Sequence, residues 1–248
     1  MTTDRNRRLL LLGGAILAAV VVVVIAIAVS QGGSDDDSVG GSGGPTASGG
    51  GAQQSQSAEV KQLFGDIPQR GVTLGQSDAP ATLIEFADLQ CPFCAQYTTG
   101  ALPTVIQDYV RTGRLKMQLR LLRFIGPDSE RGAEVAAAAT LQNKGWDFSD
   151  LFYRNQGQEN SGYATDAFLE GLARETPGLD VEQLNSDLDS PAAQRLVRQA
   201  ERQANTLGVS GTPTFFVQTG NGAPQQLQLS SLDADSVTAA IDSALGEQ

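Results

Sequence analysis

Two cysteines three residues apart, Cys91 and Cys94, constrain this chain more than any other feature, because they are its only ones and because of what flanks them. Residues 81–87, Ala-Thr-Leu-Ile-Glu-Phe-Ala, form an apolar, β-favouring run and read as a buried central strand. Residues 95–111 place Leu102, Val105, Ile106, Tyr109 and Val110 on one apolar face and read as a helix, which Pro103 should kink. A strand that enters a helix through Cys-Pro-Phe-Cys puts Cys91 at a helix N-terminus, where backbone N–H groups and the helix dipole favour thiolate over thiol. Cys91 is therefore expected to be exposed and nucleophilic. Cys94, one turn in, is expected to be more buried and to resolve.

Two plainer readings of the pair stand beside redox chemistry. A structural bridge would close a four-residue loop, which stabilises by about 2 kcal/mol on chain-entropy grounds, against ~4.7 kcal/mol for a hundred-residue loop. Half of a zinc site would need two further cysteine or histidine ligands from another subunit, because this chain has no histidine and no other cysteine. The missing histidine also excludes Ser-His-Asp and Cys-His catalysis. Any acid or base must be a carboxylate, lysine, tyrosine or cysteine.

The 248 residues divide by composition. Residues 9–29 are uncharged and apolar, and at about 1.5 Å rise they span roughly the 30 Å of bilayer hydrocarbon. Arg5, Arg7 and Arg8 before them predict a cytoplasmic tail, 1–8, a transmembrane anchor, 9–29, and an extracytoplasmic remainder. Ala26-Ile27-Ala28 resembles a cleavage site, but the run is longer than the usual 7–15-residue signal core, which favours a retained anchor. Residues 30–58, rich in Gly, Ser and Asp, read as a flexible, disordered linker. One domain is expected over 59–248. The chain carries 17 basic and 28 acidic residues, a balance that disfavours nucleic acid and anionic lipid surfaces as partners.

With these residues assembled, the chain resembles the DsbA-like branch of the thioredoxin superfamily. The resemblance rests on Gly75-Gln76-Ser77-Asp78-Ala79-Pro80, on Leu83-Ile84-Glu85-Phe86, on Asp88-Leu89-Gln90-Cys91-Pro92-Phe93-Cys94, and on Gly208-Val209-Ser210-Gly211-Thr212-Pro213-Thr214-Phe215. It implies a thioredoxin-like α/β fold with a helical insertion at about 128–207, and a cis Thr212–Pro213 bond beside the cysteines. Glu85 would lie beneath the redox pair and exchange a proton with Cys94; a strand end that leaves it wet is the plainer reading. Asp88 reads as a turn or helix-approach residue. Thr212 and Pro213 would hold an extended substrate chain, while Pro92 and Phe93 would tune the redox pair.

Local signals fill in the rest. Residues 115–122 alternate as the next, parallel strand. Glu134–Ala139 lie in a helix ending near Gly145, and 148–153 in another. Thr165 caps a third helix carrying Phe168, Leu169 and Leu172, and Ser190-Pro191 opens a long one that Gly208 stops. Residues 225–229 fit a last strand, and 232–245 an amphipathic helix with Val237, Ala240, Ile241 and Ala244 inward.

The resemblance implies an enzyme, a thiol–disulfide oxidoreductase that introduces disulfides into exported proteins without metal or organic cofactor. Its reoxidant would be a quinone-linked membrane partner of the DsbB or vitamin-K-epoxide-reductase-like type. The chain departs from the family pattern at Phe93, where the best-known members carry histidine. Disulfide reduction or isomerisation is therefore an alternative within the class. A tethered, non-enzymatic binding module with a structural disulfide is the alternative outside it.

Overall fold

The computed structural model describes residues 49–246. A six-stranded sheet in the order β1-β2-β4-β3-β5-β6 lies at its centre. Strand β3 (Ala81–Ala87) pairs in parallel with β4 (Leu115–Leu121) and antiparallel with β5 (Thr214–Thr219). Every residue of β3 is buried, as a strand covered on both faces requires, so its sequence is an apolar run broken only by Thr82 and one carboxylate. The two-residue period then sorts its side chains. Ile84 and Phe86 pack with Phe216 beneath Ala200 and Ala204 of α8 (Pro191–Leu207), and the Phe86 and Phe216 rings meet edge-on at 5.8 Å. Leu83 and Ala87 face the opposite layer with Cys94, Tyr97, Val105 and Ile241, and Glu85 shares their side of the strand.

The outer strands are short. β1 (Gln69–Arg70) and β2 (Thr73–Leu74) form a hairpin on the far side of β4, which periodicity did not anticipate. At the other edge, β6 (Gln225–Gln226) is shorter than the strand expected over 225–229. The Leu227 N–H still reaches the Phe215 carbonyl at 2.9 Å, but Leu227 and Leu229 then turn inward to pack on the core.

The expected kinked helix after the cysteines is three pieces: α2 (Pro92–Gly100), α3 (Leu102–Val105) and a π-helical turn, Ile106–Val110. Pro103 has no N–H to give the preceding turn, and the break falls just before it. The insertion between β4 and β5 holds α4 (Pro127–Leu141), α5 (Gly145–Arg154), α6 (Asp166–Glu175), α7 (Val181–Asp187) and α8. Thr165 caps α6 through the Phe168 N–H, Ser190 caps α8 through the Ala193 N–H, and Gly208 ends α8 in the left-handed region at φ 70°. Helix α4 stops at Leu141, ahead of Gly145, and Gly145 instead opens α5. A Cβ there would sit 2.1 Å from Thr140 Oγ1, so the close approach of the two helices requires glycine. Helix α9 (Ala234–Leu245) buries Val237 and Ile241 and half-buries Ala240 and Ala244.

At the other end, helix α1 (Gly49–Phe64) replaces coil over the last ten residues assigned to the linker, so the folded part begins before residue 59. Its glutamines and alanines are adequate helix formers, and tertiary contacts add to them. The Ser57 hydroxyl donates to the Glu175 carbonyl at 2.6 Å, and the Arg111 guanidinium takes up the carbonyls of Gln62 and Leu63 at the C-terminal end. The expected cytoplasmic tail, the anchor at 9–29 and the linker up to residue 48 lie outside the described residues. Among the described residues no helix is long and apolar enough to cross a membrane.

Candidate active site

The redox pair stands where the parallel strand β3 gives way to α2. Cys91 is the N-cap residue, with φ −71° and ψ 119°, and Pro92 occupies the first helical position, where its missing N–H costs nothing. The Cys91 carbonyl accepts the Ala95 N–H at 3.1 Å, closing the first turn. Asp88 shapes the approach. Its carboxylate accepts from the N–H groups of Gln90 (2.8 Å), Phe124 (2.8 Å) and Ile125 (3.1 Å) and from the Ser129 hydroxyl (2.6 Å). It is a turn residue, as read from the sequence, and it ties the redox loop to the end of β4 and to α4.

Cys91 and Cys94 are both thiols. Cys94 is fully buried, as expected, but Cys91 is only 4% exposed. The correction has a local cause: the Thr212–Pro213 segment closes over it, and the Cys91 thiol donates to the Thr212 carbonyl at 3.2 Å. The Thr212–Pro213 peptide bond is cis, and both residues are half-buried. Residues 121 apart in sequence therefore meet at the sulfur.

The two sulfurs are driven apart in acidity. A hydrogen bond from the Cys94 thiol lowers the Cys91 pKa most; burial opposes it, and the Thr212 hydroxyl and the N–H groups of Cys94 and Phe93 add to the lowering, to about 6. Cys94 moves well above its ordinary value, chiefly through burial and then through its bond to Cys91. At neutral pH the reduced pair thus holds one thiolate, on Cys91.

Glu85 is 1% exposed, which removes the reading of a wet strand end. Its register partners on the neighbouring strands are Leu119 and Phe215, both buried, and its Oε2 has no hydrogen-bond partner. Burial alone pushes its pKa up to about 8. Its negative charge would raise the pKa of both Cys94 and Tyr97, so the carboxyl lies close enough to sense either group.

Phe93 is 60% exposed. With Pro213, Leu227, Leu229 and Leu232 it lines a groove of about 310 Å³ that runs from the Thr212–Pro213 bond to the β6 edge. Among the described residues no cluster of acidic or cysteine side chains is arranged to hold a metal ion. Sequence reasoning missed the polar residues that hold the loop from the insertion: Ser129, Tyr153, Gln156 and Asn160. They lie 39 to 70 residues from their partners and carry no motif.

Comparison with known proteins agrees with this geometry. The family model described as "Thioredoxin" matches residues 68–242. A Bacillus cereus protein named "Probable disulfide bond formation protein D" is 34% identical over 176 residues, covering 70% of this chain and 78% of that protein. "Disulfide bond formation protein D" of Bacillus subtilis is 27% identical over 150 residues, 58% of this chain and 66% of that protein. The crystal structure of oxidised BdbD from Bacillus subtilis superposes with a TM-score of 0.59 at 24% identity, over 73% of this chain and 97% of that one, and shows the common fold. The chain belongs to the DsbA-like branch of the thioredoxin superfamily, and it is a thiol–disulfide oxidoreductase.

Proposed function

We propose that the enzyme introduces disulfides into exported proteins through Cys91-Pro92-Phe93-Cys94. The supporting observation is the divided acidity of the pair: a stabilised Cys91 thiolate favours the reduced form and so makes the disulfide an oxidant. A Cys91 pKa of about 6 instead of 9 stabilises the reduced state at pH 7 by about 1.4 kcal/mol, or about 30 mV for a two-electron couple.

The steps follow from the positions of the groups. A substrate thiolate attacks the Cys91 sulfur of the oxidised pair, the Cys91–Cys94 bond breaks, and the electron pair leaves on Cys94. Cys94 holds its proton tightly, and protonated Glu85, buried on the same side of β3 and close enough for its charge to act on Cys94, would supply that proton. The substrate lies extended along Thr212–Pro213 with side chains in the adjoining groove. A second substrate thiolate then attacks the substrate sulfur of the mixed disulfide, and Cys91 departs as the stable thiolate. The substrate has lost two electrons and the enzyme has gained them. A DsbB-like, quinone-linked membrane partner would return the pair to the disulfide. The run 9–29 would hold the domain outside the membrane, with 1–8 in the cytoplasm and the chain up to α1 as tether.

The deciding experiment equilibrates the protein with glutathione and offers the oxidised form to a reduced, unfolded protein substrate. A potential above about −200 mV and stoichiometric disulfide transfer are expected. The Phe93 side chain, which can neither donate a hydrogen bond nor add charge at the thiolate, favours the reductase reading. A potential near the −270 mV of thioredoxin, with insulin reduction, would establish that reading instead.

A further inference from the structure

The end of α5 reaches the redox loop. The Tyr153 hydroxyl donates to the Asp88 carbonyl at 3.2 Å, and the Gln156 side-chain amide donates to two further carbonyls, Leu89 at 2.6 Å and Cys91 at 3.2 Å. A primary amide carries two N–H groups, so both bonds form together. The Cys91 carbonyl is also the first acceptor of α2, and among the described residues Gln156 is the one side chain bonded to it.

That carbonyl matters because its peptide plane sets the start of the helix. Turning the Cys91–Pro92 peptide away from ψ 119° would swing the N–H groups of Phe93 and Cys94 off the sulfur they now serve. We propose that Gln156 is a positioning residue for the redox centre: by gripping the Leu89 and Cys91 carbonyls it aims the first turn of α2 at the Cys91 sulfur. The inference rests on Cys91 being the attacking thiol.

The neighbours of Gln156 provide the control. Asn155 donates to Gln56 of α1 at 2.8 Å, and Arg154 bonds Glu59 of α1 at 2.7 Å. These contacts brace the same end of α5, yet they do not touch the loop. The test titrates the thiolate absorbance of the reduced full-length protein and follows Cys91 alkylation by iodoacetamide, in the parent and in Gln156→Leu, Gln156→Glu and Gln56→Ala. Gln156→Leu should raise the Cys91 midpoint by about one unit, so that the thiolate fraction at pH 6 falls about fivefold. Gln156→Glu keeps the length but presents a charged acceptor, and it should raise the midpoint further; it serves alone should the leucine variant fail to fold. Gln56→Ala should lower the melting temperature and leave the midpoint in place. An unchanged midpoint in both Gln156 variants, or an equal shift in Gln56→Ala, overturns the inference. A parent midpoint near 9 would instead overturn the underlying assignment of Cys91.

Discussion

Replacing Glu85 by glutamine should shift the stability difference progressively in favour of the variant as pH rises from 5 to 8. In the unfolded chain the carboxyl ionises near 4.5, whereas in the folded protein burial holds its proton up to about 8. Between those values the folded state binds the extra proton, so each pH unit removes about 1.36 kcal/mol of stability. The carboxyl's stabilisation is complete below pH 4.5 and lost by pH 8, and integrating the two titration curves gives a fall of about 2.5 kcal/mol between pH 5 and pH 7. Glutamine does not titrate. Its amide meets the same unpartnered surroundings as Oε2, a cost of about 1–3 kcal/mol that is constant with pH. Cys91 titrates in both proteins and cancels in the difference, while Cys94 and Tyr97 ionise above this range. The assay is equilibrium urea unfolding of reduced 49–248 fragments, parent and Glu85→Gln, at pH 5, 6, 7 and 8. A stability difference that stays constant within about 1 kcal/mol across that range would show that Glu85 is not buried as an acid.

Three further outcomes follow from the site. Cys94→Ser should accumulate mixed disulfides with substrate through Cys91 and Cys91→Ser should not, read on non-reducing gels; equal trapping would contradict the assigned roles. Thr212→Val keeps the carbonyl beside Cys91 but removes the hydroxyl that supports its thiolate, so the thiolate midpoint should rise above about 6; an unmoved midpoint would dismiss the hydroxyl. Phe93→His should lower that midpoint and raise the reduction potential by up to about 30 mV per pKa unit, because Cys91 is already mostly ionised at pH 7. A lower midpoint with an unchanged potential would show that Cys91 ionisation does not govern the couple.

What the sequence disclosed is what short-range chemistry writes into it. The run 81–87 could be read as a doubly covered strand because nearly all its residues are apolar. Thr165, Ser190-Pro191 and Gly208 could be read as helix ends because capping depends on neighbours one turn away. Cys91 and Cys94 were legible from their place between strand and helix, and Thr212–Pro213 from its resemblance to a known family. The exposure of Cys91 was misjudged because the segment that covers it comes 121 residues later. Strands β1 and β2 are two residues each, too short to show a period, and α1 looked like linker because its polar composition hides contacts made with α5 and α6. The grip of Gln156 and Ser129 on the loop is likewise tertiary and leaves no local trace.

The connection between β3 and β5 has a consequence for how the molecule comes into being. The strand that delivers Cys91 is finished at residue 87, but the strand that brings Thr212 to it begins at Thr214, after the whole helical insertion. A chain emerging from the ribosome therefore presents its cysteine pair well before the covering segment exists. During that interval neither the Thr212 carbonyl nor its hydroxyl stands beside the sulfur, and the β3 edge destined for β5 is bare. Newborn molecules pass through a stage in which the thiol is open to any disulfide nearby, and only the last sixth of the sequence brings it under discipline.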